Sequence, residues 1–496
     1  MKETFFITTP IYYVNDKPHI GHAYTTILAD VIARFHRNIG IDTFFLTGLD
    51  EHGQKVQLAA EKNGINPIQH CNNIAPRFTQ LWEKLHISND DFIRTTEKRH
   101  EEAVKHILLK VFNAGDIYKN VYEGLYSVSE ERFITEKEAQ SGDYRDIKKL
   151  KEKNYFFRMS KYQDRLINYI KNNKNFIQPD HRKNEILSFL KKPLGDLCIS
   201  RPKKRLSWGI ELPFDKDYVT YVWFDALINY ITAPGFLSDK KKFDKLWPAS
   251  CHLIGKDILT THTVYWPTML MSAGIELPKS IFAHGWWLIE NSKMSKSIGN
   301  IVNPMDLIDD YGVDPVRYYL MREMVLGQDA NFTMDSFIKR YNSDLANDFG
   351  NLLSRLSSLI KKYFNGKIPE PGIFRKEENE IKENGEELVK IINKKIVGMR
   401  IDQAIEEIMQ FIRTINKYME NNAPWKLVKE DKVSASRILY TAAEALRISA
   451  LLLSPVMPNR TALIIDVLNA SGSSENWGGL EPGKLIKEHQ PLFPRL

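Results

Sequence analysis

Apolar and polar positions alternate in two different registers over the first hundred residues. Residues 4–8 (Thr-Phe-Phe-Ile-Thr) read as a buried strand, 23–38 carry apolar residues at helical spacing, and 42–47 read as a second short strand ending at Gly48. Strand, amphipathic helix and strand in this order predict a βαβ unit of a parallel sheet. Helical spacing follows over 68–85 and 100–114. Between about 115 and 212 the regular alternation gives way to short β-like pieces (123–128, 154–159) and lysine-rich runs (148–153, 202–205), which predicts an inserted domain. Strand-like runs return at 218–224, 251–254 and 280–284, so the parallel sheet is expected to resume after the insertion. From about Ser336 the strands stop. Ile401, Ala404, Ile405, Ile408, Ile412 and Ile415 share one helical face, and 438–453 is apolar nearly all round until Pro455, which predicts a helical bundle.

These shifts in texture divide the chain at 1–114 and 213–285 (the two halves of an α/β domain), 115–212 (the insertion), 286–346 (a linking region) and 347–496 (the helical domain). A length of 496 residues agrees with about three domains at roughly 150 residues each. With 43% hydrophobic and 26% charged residues, 26 Gly and 22 Pro, the composition excludes disordered, collagen-like and coiled-coil classes. The longest apolar stretch, 442–456, is interrupted by Glu444 and Arg447, and 1–10 lacks an apolar signal region, so no membrane association and a cytoplasmic location are expected. Cys71, Cys198 and Cys251 lie far apart and form no C-x-x-C pair, which argues against a disulfide framework. The net charge of +7 has the sign suited to a phosphate-backbone partner but decides little alone.

Two segments carry chemistry. After Pro10-Ile11-Tyr12-Tyr13 comes Pro18-His19-Ile20-Gly21-His22 at the start of the first helix. Two imidazoles three residues apart at a helix N-terminus, with a glycine for close backbone approach, suit an anionic phosphate; the alternative is a pair of helix-capping histidines. Much later, Ser292-Lys293-Met294-Ser295-Lys296-Ser297-Ile298-Gly299-Asn300 sets two ammonium groups beside three hydroxyls, a pattern suited to a loop that closes on a triphosphate, or equally to a charged surface turn.

Together and in this order, separated by an insertion and followed by a helical bundle, the two segments resemble the paired signatures of class I aminoacyl-tRNA synthetases. The resemblance extends to the methionyl-tRNA synthetase family through Thr8-Thr9-Pro10-Ile11-Tyr12-Tyr13-Val14-Asn15, Gly48-Leu49-Asp50-Glu51-His52-Gly53, Tyr221-Val222-Trp223-Phe224-Asp225-Ala226 and Ile254-Gly255-Lys256-Asp257, and covers nearly the whole chain. It implies a Rossmann-like parallel-sheet catalytic domain split by a connective insertion and followed by an α-helical anticodon-binding domain. The implied activity joins methionine to ATP as methionyl-adenylate and passes the methionyl group to the 3′ terminal adenosine of tRNA(Met).

By the same resemblance, His19, Gly21, His22, Gly255, Asp257, Lys293, Ser295 and Lys296 would bind ATP, with His19, His22, Lys293 and Lys296 catalytic. Ile11, Tyr13, Trp223, Ala226, Tyr230, Ile258, His262 and Trp266 would line the methionine pocket, whose aromatic and aliphatic walls suit a thioether, and Asp50 would hold the α-ammonium. In isolation Trp223, Tyr230 and Trp266 read as core packing. Asn351, Arg355 and Trp425 would read the anticodon; Asn351 and Arg355, four apart, share a helix face, and Trp425 offers a stacking plate, although an interhelix Pro-Trp is also an ordinary structural feature. Mg²⁺ would arrive with ATP.

One departure concerns the insertion. Many relatives carry a zinc knuckle there built from cysteine pairs, whereas this chain reads Tyr126-Ser127-Val128-Ser129-Glu130-Glu131, with no cysteine in 141–151 either. No structural zinc is therefore expected. The sequence ends at Pro491-Leu492-Phe493-Pro494-Arg495-Leu496, where longer relatives continue into a dimerising module, so a monomer is expected. Two rivals are set aside: a synthetase of the same class for an aliphatic amino acid, for whose editing insertion 496 residues leave no room, and a non-catalytic tRNA-binding paralogue, which should have lost the paired histidines or lysines that are intact here.

Overall fold

Strand β1 (Thr4–Tyr13) buries Phe6, Ile7, Thr8 and Thr9 in succession. A strand with no polar face needs cover on both sides, and this one lies inside a six-stranded sheet. The computed structural model describes residues 3–14, 17–127, 132–134, 136–140, 146–289, 292–293, 302–470 and 474–496. They fall into two units, one of residues 1–29, 40–83 and 87–284, the other of 30–39, 84–86 and 285–496.

In the first unit, β2 (Asp42–Asp50), β3 (Asp91–Arg94), β4 (Ile177–Gln178), β5 (Cys251–Gly255) and β6 (Ile281–His284) join β1 in the order β3-β2-β1-β5-β6-β4. Every pairing is parallel. This is the expected Rossmann-like sheet. The chain runs outward from β1 to one edge, then returns to pair β5 on its other side, with Ile7 opposite Cys251 and Thr8 opposite His252. At such a switch point the loops after neighbouring strands diverge and leave a crevice at the carboxyl ends. Helix α1 (Ile20–Asn38) starts from the end of β1. Gly48 is required where β2 passes β3, because a Cβ there would lie 2.1 Å from the Ile93 carbonyl oxygen.

The 115–212 span differs from its polar texture. Ile117–Ser127 and Ile147–Phe157 form an antiparallel pair, from Ile117 opposite Phe157 to Ser127 opposite Ile147. Arg132–Ile134 and Leu197–Cys198 flank it. The middle of the span, however, supplies β4 to the edge of the main sheet. A strand of two residues leaves no periodic trace in sequence. Tyr126 is buried, with the Arg201 and Arg205 guanidinium carbons 5.4 and 4.5 Å from its ring centre.

The strand expected over 218–224 is corrected. Asp215–Thr220 pairs antiparallel with Ser200–Pro202 and Glu211–Leu212 in a separate small sheet, and Val222–Ala226 is a short helix. The run Tyr-Val-Thr-Tyr-Val-Trp-Phe has β-type residues throughout, and five residues are too few for helical spacing to register against them.

The second unit contains the expected helices. Ile401–Asn422 buries the apolar face predicted for it, and Lys432–Leu453 is buried on nearly every side. Its Glu444 carboxylate accepts the backbone N–H groups of Gly478, Gly479 and Leu480 at 2.8, 2.8 and 3.0 Å. The Arg317 guanidinium, also wholly buried, donates to the carbonyls of Val456, Pro455 and Leu85 at 2.8, 2.8 and 2.9 Å and to the Asp30 carboxylate at 2.7 Å. No described helix is long and apolar enough to cross a membrane.

Candidate active site

The carboxyl ends of β1, β2, β5 and β6 bring Tyr13, Asp50, Gly255 and His284 to one end of the sheet, where α1 begins. His19 and His22 stack with ring centres 3.9 Å apart and an interplanar angle of 29°. His22 Nδ1 accepts the His19 backbone N–H at 3.1 Å, and His19 Nδ1 accepts that of Gly21 at 3.0 Å. A nitrogen that accepts carries no proton, so each neutral ring holds its proton on Nε2. Burial, and then the neighbouring His19, push His22 well below the usual imidazole range. The pair therefore offers two neutral N–H donors at a helix N-terminus. Tyr12 buttresses it edge-on at 5.0 Å from His22, with its hydroxyl 2.7 Å from Thr26 Oγ1.

His284 has no sequence signature of its own, and the motif reading missed it. The Thr25 hydroxyl donates to the Gly21 carbonyl at 3.1 Å, which leaves its oxygen to accept from His284 Nε2 at 2.8 Å. The end of β6 is thus tied to the first turn of α1. At the end of β5, a Cβ on Gly255 would lie 2.6 Å from Asp257 Oδ1, so glycine is what lets this exposed carboxylate fold back over the strand end.

Beside this lies a mostly dry aromatic cluster. Ala226, Tyr230, His262 and Trp266 are buried, as is Asp50, while Ile11, Tyr13, Trp223 and Ile258 are partly exposed. His262 Nδ1 donates to the Ile258 carbonyl at 2.9 Å, and its Nε2 accepts the Tyr230 hydroxyl at 2.8 Å. Burial lowers the His262 pKa to about 4, which keeps the ring neutral. His262 sits in a π-helical turn, Thr261–Tyr265, inserted just ahead of the helix that begins at Trp266. Such turns carry one extra residue and re-aim the side chains they hold.

Asp225 and two histidines form a further buried group that received no role from sequence, with only Asp225 and His52 lying in the family-like motifs. Asp225 accepts from His52 Nδ1 and His100 Nε2, both at 2.7 Å. Burial alone would raise the carboxyl pKa, but the two imidazoles outweigh it and hold it below the usual range. The turn bearing Asp50 is thereby fixed to the helix that presents Trp223 and Ala226.

In the second unit, the Arg355 guanidinium carbon lies 5.4 Å from the Trp425 ring centre. Trp425 follows Ala423, which adopts a left-handed φ of 40°, and Pro424, the first residue of a short helix. Asn351 is exposed one turn from Arg355 and directly follows a second π-helical segment, Tyr341–Gly350. It also lines a cleft of about 320 Å³ with Asn347, Ser354 and Arg495. Ser295 and Lys296 lie outside the described residues, and Lys293 is described only by its backbone, in a short strand paired with Leu288.

Residues 5–143 and 138–357 match the family described as class I tRNA synthetases (M), and 368–487 match the anticodon binding domain of methionyl tRNA ligase. The methionine–tRNA ligase of Fusobacterium nucleatum is 47% identical over 100% of this chain and 80% of its own length. That of Thermotoga maritima is 44% identical over 99% and 80%. The structure of Mycobacterium tuberculosis methionyl-tRNA synthetase in complex with methionyl-adenylate superposes with a TM-score of 0.96 at 40% identity, covering 99% of this chain and 100% of that one. A parallel sheet with paired histidines at its switch point, a helical unit matching a tRNA-reading module and full-length identity to such enzymes lead to one assignment: the chain belongs to the methionyl-tRNA synthetases, class I aminoacyl-tRNA synthetases that ligate methionine to tRNA.

Proposed function

We propose that this ATP-dependent methionine–tRNA ligase works with the residues assembled at the switch point, and the stacked His19–His22 pair is the observation that carries the reading. In the first step the methionine carboxylate attacks the α-phosphorus of ATP and pyrophosphate leaves; in the second, a hydroxyl of the tRNA 3′ adenosine attacks the methionyl carbonyl carbon and AMP leaves. No covalent enzyme intermediate is needed, so rate enhancement comes from positioning and charge stabilisation. His19 and His22 donate to phosphate oxygens as charge builds, with Gly21 allowing close approach. Gly255 and Asp257 hold the adenosine ribose, and Lys293, Ser295 and Lys296 serve the pyrophosphate side. Ile11, Tyr13, Trp223, Ala226, Tyr230, Ile258, His262 and Trp266 enclose the methionine side chain, and Asp50 pairs with its ammonium.

Mg²⁺ supplies charge neutralisation as a companion of ATP. Among the described residues no group of three or more His, Cys, Asp or Glu could hold a metal ion. The boundaries 1–114, 115–212, 213–285, 286–346 and 347–496, a cytoplasmic location and a monomeric state complete the reading, with tRNA(Met) as the tRNA partner.

Amino-acid-dependent pyrophosphate exchange into ATP across the twenty amino acids tests it: exchange with methionine alone is expected, and exchange with an aliphatic amino acid or with none would overturn it. Asn351, Arg355 and Trp425 are assigned to the anticodon. Trp425→Ala is expected to lower kcat/KM for charging by about 5- to 150-fold through a lost stacking contact, with pyrophosphate exchange unchanged. A parallel fall in exchange would make Trp425 a structural residue. The enzyme is also expected to retain its melting temperature and its charging rate after treatment with a strong chelator and readdition of Mg²⁺, since the cysteine pairs of a structural zinc knuckle are missing from 126–131 and 141–151. Stoichiometric zinc in elemental analysis would contradict this.

A further inference from the structure

His252 stands opposite Thr8 at the pairing of β1 with β5, fully buried, and no role has been given to it above. Its ring stacks on that of Tyr230, with centres 4.2 Å apart and an interplanar angle of 29°. Its Nε2 lies 3.3 Å from Trp266 Nε1, and its Nδ1 lies 2.8 Å from Thr8 Oγ1. An indole N–H can only donate, so His252 Nε2 must accept and the ring proton must sit on Nδ1. That proton then points to Thr8. On the far side of the stacked pair, the Tyr230 hydroxyl donates to His262 Nε2, and His262 Nδ1 donates to the Ile258 carbonyl.

Two runs of fixed direction result, from Trp266 N–H through His252 to Thr8 and from Tyr230 through His262 to the Ile258 carbonyl, with the His252–Tyr230 ring stack joining them. Reversing any link would set two donors or two acceptors against each other in a buried site, which leaves a polar group unpaired at full cost. We propose that His252 is a positioning residue for methionine recognition: its Nδ1–H tautomer accepts the Trp266 N–H and holds that ring, while its own ring, anchored to Thr8, backs Tyr230. The proposal rests on the reading of Tyr230, His262 and Trp266 as walls of the methionine pocket. A ring locked in one tautomer and stacked on a pocket wall does more than fill space, because the same volume in apolar form would leave Trp266 N–H and the Thr8 hydroxyl without these partners.

The test uses the full chain and pyrophosphate exchange, with KM for methionine and for ATP, kcat and melting temperature measured for each variant. His252→Gln can still place an acceptor near Trp266. His252→Asn can serve Thr8 but is too short for Trp266, and Thr8→Val, nearly isosteric, removes the acceptor that anchors the His252 Nδ1–H. His252→Asn and Thr8→Val are each expected to raise the methionine KM about 10-fold with the ATP KM unchanged, and His252→Gln to stay within about three-fold of the parent. An unchanged methionine KM in both Asn and Val variants overturns the proposal. So does an equal effect of Gln and Asn, or a rise in both KM values together with a lower melting temperature, each of which marks His252 as passive core. If His252→Asn does not fold, Thr8→Val decides. Tyr230→Ala separates the two readings: a methionine KM unaffected by it removes the pocket assignment itself, whereas a large rise there with silent His252 and Thr8 variants removes only the role of His252.

Discussion

His22→Ala is expected to slow methionyl-adenylate formation by about 10²- to 10³-fold, while the dissociation constant for methionine stays within a few-fold. The effect is large because the lost N–H belongs to a preorganised donor at the start of α1, held by the His19 backbone through Nδ1 and buttressed by Tyr12. Its value lies in the transition state, where negative charge grows on the phosphate oxygens, so kcat falls and ground-state methionine binding does not. Because burial and the stacked His19 keep His22 neutral, it donates without being an imidazolium. Its folded pKa lies below the ordinary 6.5, and the Nε2–H persists at every higher pH in the physiological range. The single-turnover activation rate should therefore be level between about pH 6.5 and 8. A rate that declines as pH rises through that window would mean that a charged ring does the work. Equal activation rates for the parent and His22→Ala would return the pair to the bland role of helix caps.

Arg317→Met is expected to cost the second unit about 3 kcal/mol or more of stability, the lower part of the range for breaking a buried ion pair. The guanidinium is wholly buried and serves three carbonyls besides Asp30. Its removal would take the donor from those acceptors and one partner from Asp30, which keeps the partly exposed Arg34 at 2.8 Å. That residual partner is why the estimate sits low in the range. The measurement is urea unfolding followed by a probe in the helical unit, with Asp30→Leu added to the Arg317→Met background. Removing both charges should recover part of the loss, since apolar replacement of a whole pair is far cheaper than orphaning one member. A single variant within about 0.5 kcal/mol of the parent would show that water reaches the freed acceptors.

Long periodic segments were legible from sequence. The βαβ unit, α1 and the buried face of Ile401–Asn422 are found as expected, because each repeats its pattern over several turns or strand positions. β4 was not, since two residues have no period, and 222–224 was misread because β-type residues occupy a short helix that leaves only Trp223 partly exposed. At the site, His19 and His22 declared themselves through spacing at a helix start. His252, His284 and Asp225 did not, for a physical reason: each has a hydrogen-bond partner at least 125 residues away in sequence, and a lone buried histidine or aspartate looks the same whether it packs or positions. Arg355 and Trp425 were paired by resemblance, and their ring contact spans a helix start and an interhelix corner that no local pattern connects.

The π-helical turn at Thr261–Tyr265 has a consequence for how this enzyme can vary over evolutionary time. An α-helix advances about 100° per residue, so losing one residue from this turn would restore regular helix while swinging His262 away from Tyr230 relative to Trp266. The shortened segment would be the more regular one, with its backbone bonds better made, and the worse at recognition. Chain length is therefore a constraint here beside residue identity: a single-residue deletion within 261–265 would shift the frame in which His262 and Trp266 face Tyr230.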